Sequence, residues 1–111
     1  MPCGFEVTDC FGRRVTLDHS NAQRHLVRHA EAAPHVALLA LVLQAPHVVW
    51  QDNRDGHYHY YRRGFPSVQL RAVWLRVIVV DFPTGAKVVS WWLSRQIDRR
   101  GRQRWPQRRR H

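Results

Sequence analysis

The chain has 111 residues, 44% of them hydrophobic, with five Trp, three Tyr and four Phe. That length and composition predict one globular domain with a single core and exclude a disordered chain. No stretch reaches the roughly 18 apolar residues that cross a bilayer, and the best run, 35–50, is interrupted by Gln44, Pro46 and His47. The first ten residues lack the basic start and apolar run of a signal peptide, so a cytoplasmic location is expected. Cys3 and Cys10 are too few for a disulfide framework or a zinc site and read as free thiols in a poorly ordered leader.

The formal net charge is +10 and the isoelectric point about 11.4. The charge is unevenly placed. Residues 99–111 carry seven Arg and no acid, against eleven Arg plus Lys and eight Asp plus Glu in 1–98. An arm of that kind has little to fold around except Trp105, so 99–111 is expected to be a disordered Arg-rich tail. Such a tail attracts phosphate backbones without reading sequence. Seventeen of the eighteen basic residues are Arg, which a compositional bias would also produce.

Along the chain, residues 1–16 read as a leader with at most a short strand around Phe5, Val7, Phe11 and Val15. Asp18 or Ser20 can cap a helix running from Asn21 to about His29, its side-chain oxygen accepting an early backbone N–H. Pro34 suits the first turn of a second helix, made apolar nearly all round by Val36, Leu38, Leu39, Leu41, Val42 and Leu43. Pro46 ends it. The period then changes from 3.6 to 2. Strands are predicted at 48–50, 57–63, 70–82 and 87–93, separated by the turn clusters 52–56, 64–66 and 83–85. In the third, Val73, Leu75, Val77 and Val79 line one face and Trp74, Arg76 and Ile78 the other. In the fourth, Val89, Trp91 and Leu93 alternate with Ser90 and Trp92. The expected fold is therefore α+β, with two N-terminal helices packed on a four-stranded antiparallel sheet over 17–98.

Three constellations carry candidate chemistry. His25 and His29 share a helix face one turn apart, a spacing that suits zinc ligation, proton transfer near neutral pH, or a plain solvated face. A metal would need a third ligand, and His57 and His59 are the evident source; no metal or other cofactor is expected. The strand from His57 to Arg63 interleaves Tyr58, Tyr60 and Tyr61 with Arg62 and Arg63. That pattern offers stacking and phosphate contacts to single-stranded nucleic acid, or equally a polar edge strand. The face carrying Trp74 and Arg76 beside Ser90 and Trp92 can hold a phosphate between amphipathic aromatics. No Gly-rich phosphate loop, nucleophile elbow or carboxylate dyad is present.

The order His25-Leu26, two residues, His29-Ala30-Glu31, an apolar helix, then Ala45-Pro46-His47-Val48-Val49 resembles a group of phage and mobile-element nucleases. These belong to the barnase–EndoU–colicin–RelE-like (BECR) class. The Tyr-rich strand 58–61, the run Leu75-Arg76-Val77-Ile78-Val79-Val80 and the final Val88-Val89-Ser90 follow in the same order. Ala30, His47 and Ser90 stand where proline, aspartate and threonine are usual. The resemblance covers about residues 18–98. It implies a metal-independent ribonuclease of toxin or effector type acting on tRNA or mRNA, with an antitoxin or immunity protein as a further partner.

In that scheme His29, helped by His25, moves the protons of 2′-OH attack and 5′-oxygen departure. Arg76 and Arg62 stabilise the charge on phosphorus, and Tyr60 and Ser90 position it. Arg62, Arg63, Trp74, Trp92, Arg99, Arg100, Arg102 and Arg104 are the expected RNA contacts. Two other readings stand beside this one: a non-catalytic nucleic-acid-binding module, and a protein-interaction domain of a phage or mobile element.

Overall fold

The computed structural model describes residues 5–18, 20, 24, 36–65 and 73–106. Among the described residues, seven strands form one sheet: β1 (Phe5–Thr8), β2 (Arg14–Leu17), β3 (Val48–Asp52), β4 (Tyr58–Arg62), β5 (Trp74–Phe82), β6 (Gly85–Ser94) and β7 (Gly101–Trp105). Helix α1 (Leu39–Gln44) lies directly before β3. The strand order is β1-β2-β6-β5-β4-β3-β7. All neighbours are antiparallel except β2 and β6, which run parallel through Val15↔Ala86 and Thr16↔Lys87.

This corrects the expected architecture. The four predicted strands are present as the antiparallel run β6-β5-β4-β3, but β1, β2 and β7 extend it at both edges into a mixed sheet. Only one short helix, α1, is delimited among the described residues, where two helices packed on the sheet were expected. The first predicted helix lies, apart from the helical Ser20 and Arg24, outside the described residues.

The leader is a hairpin. Val7, Val15 and Leu17 all point into the core, and Val15 is completely buried. Alternation over only four residues per strand was too short to outweigh the Gly and charge content around it.

Residues 101–105 are a strand as well, where a disordered tail was expected. Trp105 packs on the core and pairs with Val49, while Arg102 stays in solvent. One large aromatic at the right register outweighs the charge of its neighbours. Gly101 makes the docking possible. Its φ is +133°, and a Cβ there would fall 1.9 Å from the Gln51 carbonyl oxygen. Glycine is the residue type that tolerates both.

Register divides the sheet into two faces. Leu75, Val77, Val79, Val88 and Trp91 join Val49 and Tyr60 beneath Leu39, Val42 and Leu43 of α1, all fully buried. At roughly 25 cal/mol per Å² of apolar surface, this is where the folding free energy is concentrated. The opposite face carries Trp74, Arg76 and Ile78 of β5 beside Tyr61 and His59 of β4 and Trp92 and Ser90 of β6. A bulge after Ile78 places Ser90 opposite Ile78 and Val88 opposite Val79, so Val88 enters the core in place of the expected Val89.

Among the described residues no helix is long and apolar enough to cross a membrane.

Candidate nucleic-acid interface

β6 lies inside the sheet and β7 at its edge, so residues 95–100 must travel past β5, β4 and β3 to connect them. They run over the face opposite α1. The Asp98 N–H donates to the Tyr61 hydroxyl at 3.0 Å and the Asn53 N–H to the Arg100 carbonyl at 3.4 Å. This segment explains why Tyr61, Ile78 and His59 are buried on a face that the sequence pattern reads as open.

Arg76 is at the centre of that face. Its Nε donates to His59 Nδ1 at 3.0 Å, and Nη2 lies 2.7 Å from the same nitrogen. Arginine has no acceptor, so His59 must be neutral with its proton on Nε2. Burial, then the nearby Arg76 charge, holds its pKa down from 6.5 to about 4, consistent with that state. The guanidinium carbon sits 4.8 Å from the Trp92 ring centre and 5.4 Å from that of Tyr61. Nη2 also lies 3.7 Å from Asp98 Oδ2. Only 13% of the Arg76 side chain is exposed, so its direction is fixed by these partners.

A second cation–aromatic pair lies beside the first. The Arg63 guanidinium stacks 4.5 Å from the Trp74 ring centre. His47 and Tyr61 meet the same indole edge-on at 5.8 and 6.3 Å. His47 Nδ1 accepts the Arg63 backbone N–H at 3.3 Å, and burial followed by the Arg62 and Arg63 charges lowers its pKa. Trp92 is 39% exposed, which leaves an aromatic surface available for stacking. Beyond Arg76 the face hollows into a recess of about 420 Å³, walled by Ser94, Gln96, Asp98, Arg99 and Arg100.

The expected site residues are thus divided. Arg76, Ser90, Trp74 and Trp92 share this face, with Arg63 against it and Arg99 and Arg100 on the segment that crosses it. Arg102 is exposed on β7, and Arg104 approaches Tyr58 at 6.0 Å on the helix side. Tyr60 and Arg62 are on the wrong face to join Arg76, because β4 alternates and Tyr60 pairs with Val77 and Arg62 with Leu75. The Tyr60 hydroxyl is buried, donating to Asp9 Oδ2 and accepting from Arg13 Nη2 at 3.1 Å. Arg62 Nη1 donates to the Ala45 carbonyl at the end of α1. Both therefore bond to protein groups on the face opposite Arg76, and the structure does not bring them together with it. His25 and His29 lie outside the described residues.

Sequence reasoning missed Asp98 and the acceptor role of His59. Neither has a local signal, since Asp98 depends on the path of 95–100 over the sheet and His59 on the register of β4 against β5. Among the described residues no group of three or more His, Cys, Asp or Glu could hold a metal ion. Comparison of the chain with known families, with curated proteins and with solved structures finds no match.

Proposed function

We propose that this protein is an RNA-directed endoribonuclease that takes its substrate on the sheet face opposite α1. The observation that supports this most is the pair of adjacent cation–aromatic stacks, Arg63 on Trp74 and Arg76 on Trp92. Single-stranded RNA needs flat rings for its bases and fixed cations for its phosphates, in alternation, and this face offers both. The basic residues that flank it, Arg99 and Arg100, continue the cationic path.

The chemistry follows the family resemblance. His25 and His29 transfer protons to and from the 2′- and 5′-oxygens, and Arg76 receives the phosphate whose charge builds during attack. Holding Arg76 against His59 before substrate arrives removes the need to reorganise it, which is the condition for electrostatic stabilisation. Ser90, two residues from Trp92 along β6, positions the RNA on the same face.

The test is incubation of total tRNA and mRNA with the protein in EDTA, beside His29→Ala and Arg76→Gln. Discrete cleavage by the wild type is expected. His29→Ala should lose at least about 100-fold, the usual contribution of a positioned acid–base group. Arg76→Gln should lose both cleavage and affinity. Full activity of His29→Ala sinks the catalytic scheme, and tight binding without any cleavage makes the protein a binding module.

A further inference from the structure

The recess next to Arg76 is walled by Arg76, Asp98, Arg99 and Arg100, and the guanidiniums of Arg76 and Arg100 both lie within 4 Å of the Asp98 carboxylate. The balance around it is positive. The carboxylate nevertheless does not satisfy the cations. Asp98 Oδ2 is 3.7 Å from Arg76 Nη2 and Oδ1 is 3.7 Å from Arg100 Nε, both outside hydrogen-bond range. What fixes Asp98 is its backbone surroundings. Its N–H is bonded to Tyr61, and its Oδ1 accepts the Arg100 backbone N–H at 3.1 Å. Arg76 in turn is aimed by His59, Trp92 and Tyr61 rather than by Asp98.

Arg76 and the carboxylate are therefore held close together by separate supports, with Arg100 beside them, at a spacing that leaves room for a better acceptor. A phosphate has tetrahedral oxygens that reach two guanidiniums at once, with charge-assisted bonds about 2.8 Å long. We propose that this recess is a phosphate-binding site in which Asp98 is a built-in competitor: it offsets the arginines in the empty protein and opposes the phosphate that enters. The ligand is a phosphate of RNA, either a terminal monoester or an internal diester. The site rests on the reading of this face as an RNA surface, and it adds a device that weakens non-productive retention of anions.

The consequence is counter-intuitive for a binding pocket, because removing one of its polar residues should tighten it. Asp98→Asn keeps an oxygen for the Arg100 N–H and the backbone bond to Tyr61, so the fold is retained, but the negative charge is gone. Carboxylate and bound phosphate would lie about 4–5 Å apart in a partly solvated recess, which corresponds to roughly tenfold in affinity.

The measurement is titration of adenosine 5′-monophosphate and of the dinucleoside phosphate ApA into wild type, Asp98→Asn and Arg100→Gln. It is followed by ¹H–¹⁵N NMR at the Trp92 indole and the Arg76 Nε–H. Asp98→Asn is expected to bind about tenfold tighter and Arg100→Gln more weakly. Preference for the mononucleotide identifies a terminal phosphate, and preference for ApA an internal one. Unchanged or weaker binding by Asp98→Asn, with its melting temperature intact, overturns the proposal. So does a wild type whose Trp92 and Arg76 signals ignore both compounds at millimolar concentration, a readout that holds even if Asp98→Asn does not fold. Neither compound needs to be cleaved, so a failure here is separate from a failure of the ribonuclease reading.

Discussion

Replacing Tyr60 by Phe separates a structural tyrosine from a catalytic one. The Tyr60 hydroxyl joins the Asp9–Arg13 pair, in which Asp9 also accepts the Phe11 and Arg13 backbone N–H groups and the Arg13 Nε, each at 3.0 Å. Arg13 continues the chain to Asp81. Tyr60→Phe deletes one hydrogen bond to a buried carboxylate and one acceptor for Arg13 Nη2. Bonds to charged groups contribute about 1.5–3 kcal/mol each, but Arg13 retains both of its acids, so the sum should be about 2–3 kcal/mol. For a domain of this length that is a fall in Tm of roughly 8–15 °C.

Asp9→Asn should cost more, about 3–5 kcal/mol. An amide NH₂ would then face the Arg13 and Tyr60 donors where an oxygen stood. The double variant should fall short of the sum of the singles by about 1–2 kcal/mol, because both remove the same bond. The assay is thermal unfolding followed by tryptophan fluorescence, together with RNA affinity measured well below each Tm. Affinity should be unchanged in Tyr60→Phe, since Arg76 is on the other face. A Tyr60→Phe protein that melts within 2 °C of wild type and has lost RNA cleavage would refute the argument.

Gly101→Ala should undo the docking of β7, because the new Cβ meets the Gln51 carbonyl. A fall in Tm of about 10 °C or more is expected, with loss of amide protection in β3, and an unaffected Tm would contradict the strand assignment. His59 is neutral when folded, with its pKa lowered from 6.5 to about 4, so the unfolded chain binds its proton first. Its contribution is complete above pH 6.5 and is lost as pH falls from 6.5 towards 4, by about 1–3 kcal/mol. His59→Gln should flatten that part of the Tm–pH curve, and an unchanged slope would exclude His59 as the source. The Cys10 thiol is pushed up to about 12, mainly by burial and then by the Asp9 charge. In a Cys3→Ser background it should react with a disulfide reagent at pH 8 at least about 100-fold more slowly when folded than in denaturant. RNA affinity should lose salt dependence when Arg63 becomes Gln, by about 0.7 in the log–log slope. An identical slope would remove Arg63 from the interface.

The sequence was most informative where alternation ran long. Nine residues of β5 were enough to assign Leu75, Val77 and Val79 to one face and Trp74, Arg76 and Ile78 to the other, as observed. The neighbouring strand was assigned less well because a single extra residue at Val89 exchanged its inward and outward sets partway along. Strands of four or five residues were harder still. β1, β2 and β7 derive their stability from edges supplied by β6 and β3, which a local window cannot contain. The same holds for the site. Aromatic and basic residues on β5 and β6 were readable as a surface, whereas the approach of His59 and Tyr61 to Arg76 needed the register of β4 on β5, and that of Asp98 the path of 95–100. Tyr60 and Tyr61 are adjacent and identical in type, and only register assigns one to the Asp9 network and the other to the Arg76 cluster.

The strand order also constrains the time course of assembly. β3 to β6 are joined by successive local reversals, and each pairs with the strand next to it in the chain. The outer strands differ. β2 must find Ala86 from Val15, and β7 must return to Val49 from Trp105. Closing loops of that size is entropically slow, so the central meander should gain protection from hydrogen exchange first. Until β2 and β7 arrive, the outer edges of β6 and β3 present unpaired peptide groups, and a newly made chain is most open to self-association in that interval. The arginines of β7 then have a second use besides any contact with RNA: carried on the last strand to dock, they leave the finished sheet with a charged border that other chains do not readily extend.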